Sequence, residues 1–202
     1  SLILFLLSST TQCVHSDRST TTDNHITVSR NSNLSRLTGS WFEAVISPLT
    51  TVQRCTIFEF GSLFKVRDQL LFNTTKMYRV GSGTARLVES VALVSPSERS
   101  AILMADMKEF TYEKAVIYET RKDGSSYEFM VRTGPSKYPV TVLVRNPAIF
   151  KKYFERQVLH WLKDQGFPTT FLPVDYSVCH YSDYEESQLP IDVLSVEGSG
   201  MD

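Results

Sequence analysis

The chain has 202 residues, 42% of them hydrophobic and 21% charged, which is enough apolar material for one sizeable domain with tails. Its 21 basic and 22 acidic residues nearly cancel, so the chain lacks the excess of positive charge that drives binding to a phosphate backbone. We therefore exclude nucleic acid as a partner, and we predict no membrane span because no run reaches the roughly 20 apolar residues that a spanning helix needs.

Residues 1–16 are predicted to be a signal peptide. Residues 2–7 are all apolar, as in the central region of such a peptide, and small polar residues follow them, although the positively charged start is missing. We place cleavage near Ser16 and expect a secreted, extracellular protein. A buried N-terminal strand is the alternative, but it fits poorly with the Ser- and Thr-rich sequence that comes next.

Three cysteines and two glycosylation sequons fit an exported protein. Cys13 would leave with the signal peptide, whereas Cys55 and Cys179 would remain as an even pair in an oxidising compartment. Cleavage before Cys13 would instead leave one thiol over. The sequons begin at Asn33 and Asn73, and the two together are modest evidence for a glycoprotein.

The middle of the chain has the pattern of a β protein. Residues 17–36 are rich in Ser, Thr and Asn without periodicity, which predicts an extended or mobile lead-in. After Leu37, short segments rich in Val, Ile, Phe and Tyr alternate with turn residues, a spacing typical of an antiparallel barrel or sandwich. The eight predicted strands are residues 40–47, 54–60, 70–79, 84–94, 100–107, 114–120, 126–133 and 140–145.

One helix and an acidic tail follow the last strand. Asn146 can cap the helix, Pro147 suits its first position and Gly166 can end it, while its apolar residues share one face that predicts packing on a sheet. Residues 182–202 carry six acidic residues and neither Lys nor Arg. We expect a disordered tail there, with a partner-binding acidic tail as the alternative.

Two short motifs lie at opposite ends of the predicted sheet. Gly39 and Trp41 open the first strand, where glycine permits a close backbone approach, and Arg145 closes the last. An indole and a guanidinium in these places indicate stacking at the closed end of a barrel. With eight strands followed by one helix, residues 37–181 resemble the lipocalin family.

Within that family the likeness is greatest to apolipoprotein D-like secreted members, because residues 54–57 and 144–147 have counterparts there. The resemblance implies an all-β fold, an eight-stranded antiparallel up-and-down barrel with one C-terminal helix packed on its outside. It also implies that Cys55 and Cys179 form a bridge that these proteins share.

A third family motif is matched only in part. Asp123 and Tyr127 are present on the predicted hairpin, whereas Lys122 stands in place of threonine. Asp123 followed by Gly124 is also an ordinary hairpin signal. We predict structural roles for both motif residues, as for Gly39, Trp41 and Arg145.

A barrel of eight strands has room for one small ligand, so we predict a carrier of a hydrophobic molecule of the lipid, fatty acid, sterol or retinoid class. Alternation from the motif residues places Glu43 inward, and Phe42, Ala44, Val142 and Val144 outside, partly beneath the helix. The predicted ligand-binding lining is Val45, Phe58, Phe60, Leu87, Val91, Ile102, Met104, Ile117, Phe129, Val131, Thr141 and Leu143. A filled core is the alternative role for each of these residues.

Catalysis is not predicted. None of the four histidines falls on a predicted barrel strand, which argues against a haem carrier, a metal site or a histidine-based triad, and we expect no cofactor. The second hypothesis is a secreted interaction protein whose barrel is filled by its own aromatic residues. Its loops around residues 50–53 and 95–100 would then bind a cell-surface receptor or another protein.

Overall fold

The computed structural model describes residues 25–30, 33–48, 53–81, 83, 85–98, 100–106, 111–122, 125–167 and 170–179. The predicted signal peptide, the acidic tail and Asp123 lie outside the described residues.

The core of the fold is an antiparallel barrel. Each strand from β2 to β9 pairs with the next, and β9 pairs back with β2, which closes the barrel. The predicted up-and-down barrel of eight strands is therefore confirmed. The strands are β1 Ile26–Val28, β2 Gly39–Ile46, β3 Gln53–Val66, β4 Gln69–Val80, β5 Ala85–Val94, β6 Ala101–Asp106, β7 Thr111–Lys122, β8 Ser125–Thr133, β9 Val140–Val144 and β10 Leu172–Pro173.

Two short strands lie outside the barrel sequence. β1 pairs with β7, and a 3-10 turn follows it at Leu34–Leu37, so the predicted lead-in contains two ordered elements. β10 pairs with Val45 and Ile46 of β2, whereas β3 pairs with the other half of that strand, Gly39 to Phe42. The wall beside β2 is therefore built from β3 near one end and from β10 near the other.

The predicted C-terminal helix follows β9 and packs on the outside of the barrel. It consists of α1 (Pro147–Ile149), a π-helical turn (Phe150–Phe154) and α2 (Glu155–Asp164). The Asn146 side chain accepts a hydrogen bond from the Ile149 amide at 3.0 Å. Gly166, with φ of +73°, follows the helix, a conformation that glycine adopts without steric cost.

The apolar face of the helix covers the outer face of β8 and β9. Phe150, Phe154, Val158 and Leu162 are buried there against residues of both strands. Each such side chain contributes ~1.5–3 kcal/mol when it is removed from water. This outer core is separate from the one inside the barrel.

The direction of the strands fixes the two ends of the barrel. The 3-10 turn and the β3–β4, β5–β6 and β7–β8 connections share one end, and the remaining hairpin connections share the other. The residues 95–100 that we predicted as an interaction loop join β5 to β6, at the end opposite the β2–β3 connection. The two predicted interaction loops therefore lie at opposite ends, because successive connections of an up-and-down barrel alternate between its ends.

Candidate functional site

One end of the barrel is closed by the paired sequence motifs. The Trp41 indole donates a hydrogen bond to the Leu37 carbonyl at 3.0 Å, and the Arg145 guanidinium lies 4.0 Å from the centre of the indole. The same guanidinium donates to the carbonyls of Ser40 and Thr38, each at 2.8 Å. These contacts join the end of the last strand to the start of the first.

The lower half of the barrel is filled with apolar side chains. Trp41, Phe60, Phe72, Met130 and Leu143 are each at most 1% exposed. They form one continuous cluster with Leu37 of the 3-10 turn. The closed end is therefore a packed floor, and a ligand that enters this barrel would lie above it.

Seven residues of the predicted lining lie inside the barrel. Six of them belong to the inner cluster, and Thr141 points the same way because it pairs with the inward-facing Arg132. The six are Phe58, Phe60, Ile102, Met104, Ile117 and Leu143.

Val45 does not face inward, and this prediction is corrected. A β-bulge between Glu43 and Val45 shifts the pairing of β2 with β9, so strict alternation does not hold across it. Glu43 stays inside, opposite Leu143, whereas Ala44 and Val45 both join the outer core.

Phe129 and Val131 of β8 are also outside, beneath the helix, where Trp161 packs against Phe129. The inward residues of this strand are Met130 and Arg132. We predicted that the more apolar face of β8 points inward. That face points outward instead, and its apolar residues are buried beneath the helix.

Leu87 and Val91 of β5 face solvent, with 43% and 41% of their surface exposed. The inner face of β5 carries Ala92 and Val94 instead. No motif anchors the alternation of this strand, and both of its faces carry apolar residues, so the pattern alone could not select the inner one.

Charged side chains lie inside the barrel toward the end opposite the packed floor. Arg132 forms an ion pair with Glu113 at 2.9 Å, and its guanidinium lies 4.6 Å from the centre of the Phe58 ring. Lys76 pairs with Phe58 across β3 and β4, and its ammonium lies 5.5 Å from the centre of the same ring. With Glu43, these residues form what we call the charged belt: Glu43, Lys76, Glu113 and Arg132 around Phe58.

Burial raises the pKa of the Glu43 carboxyl above its ordinary value, and the nearby Glu113 carboxylate adds to the rise. Arg132, the Thr56 hydroxyl and Lys76 oppose this rise because they favour the charged form. Burial is the largest of these effects, so the belt contains a carboxyl group that is held toward its uncharged state.

The three other charged members of the belt were not predicted from the sequence. Lys76, Glu113 and Arg132 were absent from the predicted lining because we selected apolar residues. Their register offers a usable signal, since Lys76 lies opposite Phe58, and Arg132 and Thr141 also face each other across strands. A charged residue that alternates in phase with buried ones is a candidate for the inside of a barrel.

The remaining predicted structural residues lie at the wall and at the surface. The Tyr127 hydroxyl donates to the Asn146 carbonyl at 3.2 Å, and its ring stacks on Phe154 at 4.5 Å. Gly39 has a φ of +90°, and an added Cβ would lie 3.5 Å from an Arg145 nitrogen. Both contacts of Tyr127 connect β8 to the helix.

The predicted bridge between Cys55 and Cys179 is confirmed, with the two Cα atoms 5.4 Å apart and 124 positions apart in the chain. It ties β3 to the segment after β10. In the chain-entropy model a bridge over a loop of this length stabilises the fold by ~5 kcal/mol.

Metal binding and membrane crossing find no support in the part of the chain that the structure describes. No group of three or more His, Cys, Asp or Glu side chains there is arranged to hold a metal ion. Among the same residues, no helix has the length and apolar character that crossing a membrane requires.

A comparison with family models matches residues 24–193 to the lipocalin domain, which is most of the chain. No curated protein sequence matches the chain. The matched region contains every described element of the barrel, the helix and the bridge. On this match the chain belongs to the lipocalin family.

Proposed function

We propose that the protein is a secreted, apolipoprotein D-like carrier that binds one small hydrophobic ligand in the open half of its barrel. Lipocalins are in general binding and transport proteins rather than enzymes, and a closed barrel of this kind fits a hydrophobic ligand. The observation that carries the proposal is the contrast between the packed floor and the upper wall, where the inward-facing Lys76 is only half buried.

Secretion and glycosylation are part of the same proposal. A bridge between Cys55 and Cys179 is typical of oxidising compartments, and the sequon residues Asn33 and Asn73 are both exposed. Protein secreted from eukaryotic cells should lose mass on glycosidase treatment. The double variant Asn33→Gln, Asn73→Gln should show no such loss, and an unchanged wild-type mass would reject the glycan assignment.

Ligand binding can be tested with the protein as it is secreted. Mass spectrometry of the native protein should detect one bound small lipid, and a neutral fluorescent probe such as N-phenyl-1-naphthylamine should bind saturably. Trp161→Phe removes the tryptophan on the outer wall and leaves Trp41 below the cup as the reporter of binding. Absence of saturable binding across fatty acids, sterols and retinoids would reject the carrier function.

The filled floor favours a second candidate, a secreted interaction module. Phe60 and Phe72 pack edge to face inside the barrel with centroids 6.0 Å apart, so part of the cup is occupied by the protein itself. In this case the loops at the open end would bind another protein, such as a cell-surface receptor. A protein that binds no hydrophobe but retains specific cell-surface binding would support this candidate over the carrier.

A further inference from the structure

We propose that the charged belt binds the acidic head group of an amphipathic, monoanionic ligand, with Arg132 and Lys76 as its cationic partners. The apolar part of the ligand then extends from the belt toward the open end. This inference rests on the proposed function as a carrier and names the class of ligand that the carrier takes.

Arg132 has the geometry to receive a carboxylate. Its ion pair with Glu113 has Nε as the contacting atom, and the two terminal nitrogens carry four further N–H groups. A guanidinium offers two parallel N–H groups to a carboxylate, which is a strong and directional arrangement. The central carbon of the guanidinium lies 4.6 Å from the centre of the Phe58 ring.

Lys76 brings a second cation to the same place. Its ammonium lies within cation-π distance of both Phe58 and Tyr78, at 5.5 Å and 5.4 Å from the ring centres. Both cations therefore contact one aromatic ring on the inner wall. An anionic group above Phe58 would interact with each of them at short range.

The charge of the belt selects a monoanion. Glu113 is paired with Arg132, so Lys76 leaves the belt with at most one net positive charge, and burial of Glu43 favours the uncharged carboxyl that this charge requires. A carboxylate neutralises this charge, whereas a phosphomonoester with ~1.5–2 negative charges would exceed it. The Thr56 hydroxyl, which is buried, provides a further polar group beside Glu43.

The packed floor determines the orientation. Since Trp41, Phe60 and Met130 fill the space below, an alkyl chain has no room beneath the belt. The head group therefore lies innermost and the chain points to the mouth. Short acids should fit this arrangement better than long ones.

The experiment compares decanoic acid with 1-decanol and methyl decanoate as competitors of N-phenyl-1-naphthylamine. We expect the acid to bind about tenfold more tightly than either neutral analogue, as a charged contact of this kind provides. Lys76→Met should remove most of that difference by weakening the acid alone. Lys65→Met, at an exposed position near the closed end, is the matched control and should leave all three affinities unchanged.

The outcomes separate this inference from the function on which it rests. Equal competition by acid and alcohol, or an equal loss of affinity for both in Lys76→Met, would overturn the anionic site. Neither result would contradict the carrier function. Tighter binding of decyl phosphate than of decanoate would overturn the monoanion assignment. If neither the probe nor any competitor binds, the carrier function itself fails. Because the comparison of ligands uses the unchanged protein, it remains decisive even if Lys76→Met does not fold.

Discussion

Replacing Arg145 by alanine should destabilise the barrel without weakening the binding of its ligand. The guanidinium stacks on Trp41 at 4.0 Å and donates to the Ser40 and Thr38 carbonyls. A shielded cation-π contact contributes ~1–2 kcal/mol and a hydrogen bond to a charged group ~1.5–3 kcal/mol. Because these terms overlap and the side chain is half exposed, we expect a loss of about 3 kcal/mol in the free energy of unfolding.

For a domain of this size, that loss lowers Tm by about 6–12 °C. Thermal unfolding followed by circular dichroism would measure it, and probe titration would measure the affinity below the transition. Arg145→Lys should recover only part of the loss, since an ammonium lacks the planar fork. Arg121→Ala, which removes an exposed arginine from β7, is the control. An Arg145→Ala protein with the wild-type Tm would refute the closing role of this residue.

Three further predictions follow from the same structure. Cys55→Ser with Cys179→Ser should cost ~5 kcal/mol in urea unfolding, and a protein unaffected by the change would show that the bridge adds nothing. Because its folded-state pKa is raised, Glu43 lowers stability as pH rises from 4.5 through that pKa. Glu43→Gln should flatten this decline above pH 4.5, and an unchanged slope would point to another group. Phe129→Leu should cost ~1 kcal/mol and leave probe affinity unchanged, whereas weakened binding would contradict its place outside the barrel.

The sequence predicts the architecture well because its signals are local and repeated. Turn residues mark several of the hairpins, such as Gly81 and Gly83 between β4 and β5, and the Asn146 cap and Gly166 mark the two ends of the helix. The bridge was predicted from the resemblance to related proteins. Each of these signals depends on residues close in sequence or on a known family pattern.

The inner wall was predicted less well, for two physical reasons. A bulge at Val45 shifts the alternation by one position, and no composition signal announces it. Both faces of β8 and both faces of β5 carry apolar residues. The helix buries the outer face of β8, whereas the apolar residues on the outer face of β5 are exposed to solvent. Which face of such a strand is directed into the barrel depends on contacts with elements distant in sequence. The residues of the strand alone do not determine those contacts.

Strand β2 pairs with β3 along one half and with β10 along the other, so the segment after the helix is a part of the barrel wall. Where β3 leaves β2, the backbone groups of Val45 and Ile46 on that side are taken by Leu172 and Pro173, and the Val174 amide donates to the Ala44 carbonyl at 2.9 Å. A chain cut directly after Gly166 would leave this stretch of β2 as an open edge. Such an edge is a template for pairing with another molecule, and in the intact chain the bridged C-terminal segment covers it.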